Sequence, residues 1–138
     1  MADLIRISFS LEKPLHDKLE RLLRKGRHGN RSEFIRDLIR SRLVHEEWEA
    51  DREAVGTITL VYNHRSRNLS RKLMSLQHDH HERILAVTHV HLDHNICAEA
   101  VLVRGRAQKI RGIASLLEQQ KGVLHVAVAM SSTGKNLA

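Results

Sequence analysis

Residues 4–11, LIRISFSL, alternate strictly, with Ile5, Ile7, Phe9 and Leu11 on one side and Arg6, Ser8 and Ser10 on the other. That is the pattern of a half-buried strand. Pro14 suits the first turn of a following helix, whose stripe of Leu15, Leu19, Leu22 and Leu23 runs up to Gly26. A second helix begins in GNRSEFIRDLIRSRL, where Asn30 and Glu33 have capping-box spacing and Ile35, Leu38, Ile39 and Leu43 form an apolar face. One strand and two helices in about 45 residues make too small a core to stand alone. The lone strand also leaves both edges unpaired. The pattern therefore calls for a second copy, with the two strands paired into an antiparallel ribbon.

Such a ribbon would present two sets of Arg6, Ser8 and Ser10, and a two-stranded ribbon fits the major groove of double-stranded DNA. Asn30 and Ser32, at the start of the second helix, are placed to clamp phosphates with backbone N–H groups and polar side chains. A net charge of +7 agrees with a polyanionic partner. The single cysteine excludes an intrachain disulfide and fits a reducing compartment. The N-terminus has no signal-peptide pattern, and no apolar run approaches the ~18 residues of a membrane span. The expectation is a cytoplasmic protein with no membrane partner.

Residues 46–54, EEWEADREA, are charged and lack apolar periodicity. They read as the helix tail and a linker between a DNA-binding domain over residues 1–50 and a second domain over 55–138. The second half reads as strand 55–62, helix 66–79, strand 83–91, strand 96–104, helix 107–121 and strand 123–130. Leu69, Leu73 and Leu76 give one helical stripe, and Ile110, Ile113, Ala114 and Leu117 another. The order βαββαβ is that of a ferredoxin-like split unit, so the fold class is α+β. Residues 131–138, SSTGKNLA, read as a frayed tail.

Six of the eleven histidines (78, 80, 81, 89, 91 and 94) fall in one 17-residue window. His89 and His91, two apart on a strand, leave the same face. Cys97 follows the short turn LDHNI and opens the neighbouring strand, where its sulfur can reach the same point. Two imidazoles and a thiolate suit Ni, Cu, Co or Zn, and His78, at the end of the preceding helix, is the natural fourth ligand. Four N and S donors permit a tetrahedral or a square-planar site, and spacing does not choose between them. His80 and His81 read as exposed helix-end residues or weak extra ligands, and His94 as a turn residue that is either solvated or orients a ligand. His16, His28, His45 and His125 read as structural. Glu33 and Asp37, one helical turn apart, read as a solvated acidic face.

The string His89-x-His91-x-Asp93-His94 also resembles the metal-binding signature of metallo-β-lactamase-type hydrolases. Those need further His and Asp ligands downstream, and after Cys97 the chain offers only His125 and no aspartate. It shows no general base paired with a nucleophile and no Gly-rich phosphate loop. Four protein ligands would leave no position for water or substrate. The chain does not read as an enzyme.

Together, the strand, the two helices and NRSEFIRDLIRSRL resemble a ribbon-helix-helix DNA-binding module. The HxHxxxxxC string, with histidines just upstream, resembles the nickel-responsive repressors of the NikR family, over residues 4 to about 130. That resemblance implies planar Ni(II), one ion per subunit, held by His89, His91 and Cys97 with His78 from a neighbouring subunit. The strand between His78 and His89, at ~3.3 Å per residue, points the same way by carrying His89 from its own helix end. The resemblance further implies an ACT-type regulatory domain that tetramerises as a dimer of dimers, an inverted-repeat operator and repression of nickel uptake genes. His64 and Glu99 match family positions that orient ligands, and Arg67 matches one that can approach the DNA backbone. The alternative is a ribbon-helix-helix regulator sensing Cu, Co, Zn or an organic ligand. The run HDHH, with Asp79 among the histidines, departs from the family pattern.

Overall fold

The computed structural model describes residues 3–26 and 29–138; His28 lies outside the described residues. The chain divides into two compact units between Ile39 and Arg40.

In the first unit, α1 (Lys13–Lys25) carries Pro14 in its first turn and Arg24 and Lys25 in its last. Helix α2 (Arg31–Glu49) begins where the Asn30 side-chain oxygen accepts the Glu33 N–H at 2.9 Å, half of the expected capping box. The Arg31 guanidinium donates to the Glu20 carboxylate at 2.9 Å, joining α2 to α1 and holding Glu20 below the usual carboxylate range. The strand expected at 4–11 is not formed within one chain. Residues 3–12 have no regular structure, and Leu4, Ile5, Ile7 and Phe9 are exposed. The physical reason is pairing: a strand's N–H and C=O groups need a second strand, and residues 3–39 include none among the described residues.

The second unit contains β1 (Glu53–Asn63), α3 (Leu69–Asp79), β2 (Ile84–His91), β3 (Ile96–Arg106), α4 (Ala107–Glu118) and β4 (Val123–Met130). The sheet order is β2-β3-β1-β4, and every pairing is antiparallel. This is the expected βαββαβ unit. Alternate residues of β1 and β3 (Ile58, Leu60 and Tyr62; Val101 and Val103) are buried with Leu69 and Leu73 of α3 and Ile110, Ile113, Ala114 and Leu117 of α4.

Boundaries follow the sequence reading in one place and depart from it in two. Residues 46–49 are the expected helix tail of α2, after which the chain turns at Asp51 (φ 54°) and enters β1. Trp48 is buried in the second unit's core, with Val44, one turn earlier, packed against it. That i, i+4 pair is an apolar stripe too narrow to stand out among charges. Helix α3 starts three residues later than expected because Asn68 is left-handed (φ 62°). The tail is not frayed at its base. Ser131 N–H donates to the Val55 carbonyl at 2.8 Å, and the Leu137 carbonyl accepts from Arg40 Nε at 3.0 Å.

Gly122, with φ +100°, turns the chain from α4 into β4, and its carbonyl accepts the Asn63 N–H at 3.0 Å. A Cβ there would meet the Ser66 side chain and lie 2.9 Å from Leu69 Cδ2. Gly122→Ala should therefore cost about 1–3 kcal/mol through backbone strain alone. Denaturant unfolding followed by circular dichroism checks this, and an unchanged midpoint would contradict it.

Candidate metal centre

The hairpin joining β2 and β3 sets the centre. Its turn is held by Asp93, whose carboxylate accepts the N–H groups of Asn95 (2.7 Å) and Ile96 (2.8 Å), bonds that hold its pKa below the ordinary carboxylate value. The resulting register puts His91 opposite Cys97 and His89 opposite Glu99. On the other side of β3, Cys97 faces Tyr62 and Glu99 faces Leu60. Directly opposed residues share a sheet face, so His89, His91, Cys97, Glu99 and Tyr62 all lie on the side of the buried core.

Two rows result. In the outer row, Cys97 Sγ is 3.1 Å from His91 Nδ1. His64 joins it from the end of β1, two residues beyond Tyr62, where its N–H donates to the Asn95 carbonyl at 2.9 Å. One donor atom each from His64, His91 and Cys97 lie within 4.8 Å of one another. The His64 and His91 rings meet edge to face at 5.6 Å, and His64 Nδ1 is buried without a hydrogen-bond partner. Burial pushes the Cys97 thiol above its ordinary pKa, with the Glu99 and Asp93 charges adding to the shift.

In the inner row, His89 Nδ1 lies 3.0 Å from Glu99 Oε1 and 3.2 Å from the Tyr62 hydroxyl, which itself donates to Glu99 Oε1 at 3.2 Å. Gln77 Nε2 donates to the other Glu99 oxygen at 2.7 Å. A carboxylate only accepts, so these bonds select, for the neutral imidazole, the tautomer with its proton on Nδ1 and its lone pair on Nε2. Burial and the Glu99 charge push the Tyr62 phenol well above its ordinary pKa.

Of the four expected ligands, the structure thus brings His91 and Cys97 together, places His89 one row away on Glu99, and leaves His78 outside the group. Through Gln77, the end of α3 reaches the row of His89 within one chain, nearer than strand length alone suggests. What separates His78 is direction: it is exposed, and its ring stacks on His81 at 5.6 Å and 25°. His64, expected only to orient ligands, is instead in the three-donor group, whereas Glu99 is positioned as an orienting residue. Tyr62 and Gln77 were missed. The parity of β1 could have flagged Tyr62, the chain's only tyrosine.

The remaining candidates are exposed. Arg6, Ser8 and Ser10 lie on the irregular 3–12 segment, Ser32 on the first turn of α2, and Arg67 on the loop before α3, while Asn30 caps α2. His94 is exposed in the hairpin turn. His16 lies 3.6 Å from Glu20, and His45 lies 2.9 Å from Glu49. Among the described residues, no helix is long and apolar enough to cross a membrane.

Two family models match. Residues 5–46 match the ribbon-helix-helix protein model of the copG family, and residues 55–131 match the NikR C-terminal nickel-binding domain. A protein of Geotalea uraniireducens named "Putative nickel-responsive regulator" is 46% identical over 138 residues, covering 99% of each chain. One of the same name from Pyrococcus abyssi is 44% identical over 136 residues, covering 98% of this chain and 99% of its own. Among solved structures, an uncharacterized protein of Thermotoga maritima aligns with 56% of this chain and 96% of its own. Its TM-score is 0.52 at 20% identity, a likeness of fold.

Proposed function

From the premise that the chain belongs to the nickel-responsive regulators, with a ribbon-helix-helix module followed by a NikR-type nickel-binding domain, we propose that it is a cytoplasmic, nickel-dependent repressor of nickel uptake genes. It acts as a homotetramer, a dimer of dimers, on an inverted-repeat operator and takes one Ni(II) per subunit. The carrying observation is the paired rows on the core side of β2 and β3, with Sγ of Cys97 3.1 Å from His91 and His89 oriented by Glu99.

The residues fit a nickel ion. A thiolate and imidazoles are donors of the borderline-soft class that nickel accepts. His89, His91 and Cys97 would hold it, with His78 of the partner subunit as the fourth ligand. The chemistry supplied by the bound ion is ligation, a cross-link between protein segments. Glu99 keeps the proton of His89 on Nδ1 so that Nε2 is available to ligate. Tyr62 fixes the position of Glu99, and Gln77 ties α3 to the same carboxylate. Metal-dependent assembly of this network is the step that favours the arrangement in which both ribbons meet DNA together. Coupling between such sites is commonly ~1–3 kcal/mol and is reciprocal, so DNA also tightens metal binding.

Paired residues 4–11 of two chains form the reading ribbon, with Arg6, Ser8 and Ser10 toward the bases. Asn30 and Ser32, with Arg67 on the second unit, contact the DNA backbone. Arg6→Ala should cost about 1–3 kcal/mol in specific binding if it reads a guanine, while non-specific binding falls much less. Footprinting on operator fragments selected with Ni(II) tests both parts of the reading. A protected inverted repeat that requires nickel supports it. Operator binding indifferent to nickel, or a footprint unchanged in Arg6→Ala, overturns the corresponding part.

A further inference from the structure

We propose that His64, His91 and Cys97 form a second metal-binding arrangement, built within one chain, for ions that prefer tetrahedral N and S donors, Zn(II) above all. It competes with the nickel set by sharing His91 and Cys97, and so rests on their assignment as ligands.

The geometry is particular to His64. It stands one residue beyond β1, its ring meets that of His91 edge to face, and the bond from its N–H to Asn95 fastens it to the turn between the other two donors. The three donor atoms already lie within 4.8 Å. Donors sharing one zinc stand roughly 3.5 Å apart, given Zn–S near 2.3 Å and Zn–N near 2.0 Å, so only a small inward movement closes the set. The buried, unpartnered Nδ1 of His64 is a second, independent pointer. A desolvated imidazole nitrogen without a partner costs free energy that a ligand recovers. His89, whose ring lies 5.1 Å from that of His91, is outside this group by position: the donor atoms that lie within 4.8 Å of one another are those of His64, His91 and Cys97, while His89 Nδ1 turns to Glu99 and Tyr62.

Three protein donors and one position left to water or another small donor satisfy a four-coordinate zinc ion. All three come from one chain, so this arrangement loads without a subunit interface. The nickel set requires His89 and a fourth ligand from another subunit. The two ions thus occupy overlapping but distinct sets, and zinc bound through His64 leaves the inner row of His89, Glu99 and Gln77 unchanged. The arrangement separates an ion that cross-links subunits from one that does not.

The test uses the full-length protein with Zn(II), Co(II) as its coloured tetrahedral counterpart, and Ni(II). His64→Ala should weaken Zn(II) binding, measured by chelator competition, by at least about tenfold and remove the tetrahedral Co(II) bands, with the Ni(II) spectrum retained. His89→Ala should do the reverse. An unchanged Zn(II) affinity and Co(II) spectrum in His64→Ala would overturn the proposal. Should that variant fail to fold, long-range proton–nitrogen spectra of the Zn(II)-loaded wild type decide instead. The His64 ring nitrogens must move to metal-bound shifts, and unmoved signals overturn the proposal. Wild-type protein that binds Zn(II) through His64 but shows no nickel-dependent operator binding would sink the nickel-repressor reading and leave this inference standing.

Discussion

Trp48→Ala should destabilise the second unit by about 3–5 kcal/mol, the range for emptying an aromatic site in a packed core. The indole is 2% exposed, and its N–H donates to the Ser131 carbonyl at 2.8 Å. Its ring edge lies so close to β1 that a Cβ at Gly56 would come within 3.0 Å of Trp48 Cη2. The Arg111 guanidinium covers the ring at 5.7 Å from its centroid. Alanine therefore leaves a cavity between the last turn of α2 and the sheet, together with an unsatisfied carbonyl. Trp48→Phe keeps most of the packing and should lose only about 1–3 kcal/mol, the cost of the orphaned acceptor. Trp48 is the only tryptophan, so urea unfolding must be followed by circular dichroism. A loss below about 1 kcal/mol for alanine would contradict this account of the core.

Trp48 also marks where the sequence was hard to read. In EEWEADREA one large apolar residue stands among eight charged or small neighbours, and periodicity needs more than one point. The alternation of β1 and the leucine and isoleucine stripes of α3 and α4 were legible because each repeats several times on one face. The ribbon strand was legible as a pattern and absent as structure for a single reason. In the proposed ribbon its partner is a second chain, and within one chain residues 3–12 have no strand to bond.

The candidate metal donors divide similarly. His89, His91 and Cys97 announced themselves by parity across one hairpin, which sequence spacing encodes directly. His64 did not, because its approach depends on β1 lying beside β3, a long-range pairing with Cys97 opposite Tyr62. Glu99 could be placed from the sequence only by resemblance. The hydrogen bonds from Tyr62 and Gln77 that give Glu99 its role required the packed sheet and helix.

Cys97→Ser should abolish the thiolate-to-nickel charge-transfer band and weaken Ni(II) binding by more than about a hundredfold, beyond the effect of losing an orienting residue. The sulfur is fully buried, 3.1 Å from His91 Nδ1. Serine fills nearly the same space but offers a neutral hydroxyl where the site needs a soft anion. The pH dependence carries a second check. Burial raises the Cys97 pKa, so the neutral thiol is the form the metal-free fold prefers. That contribution to metal-free stability is complete below the ordinary thiol range and is lost as pH rises through the raised value. Metal binding runs oppositely: it requires the thiolate, displaces the proton and strengthens as pH rises. The serine variant should lose this alkaline sensitivity of the metal-free protein together with the cysteine proton released on binding. It should lose Zn(II) as well as Ni(II), because both donor sets contain Cys97, whereas His64→Ala and His89→Ala should separate the two ions. A charge-transfer band retained in Cys97→Ser would refute thiolate ligation and remove the donor on which both metal arrangements depend.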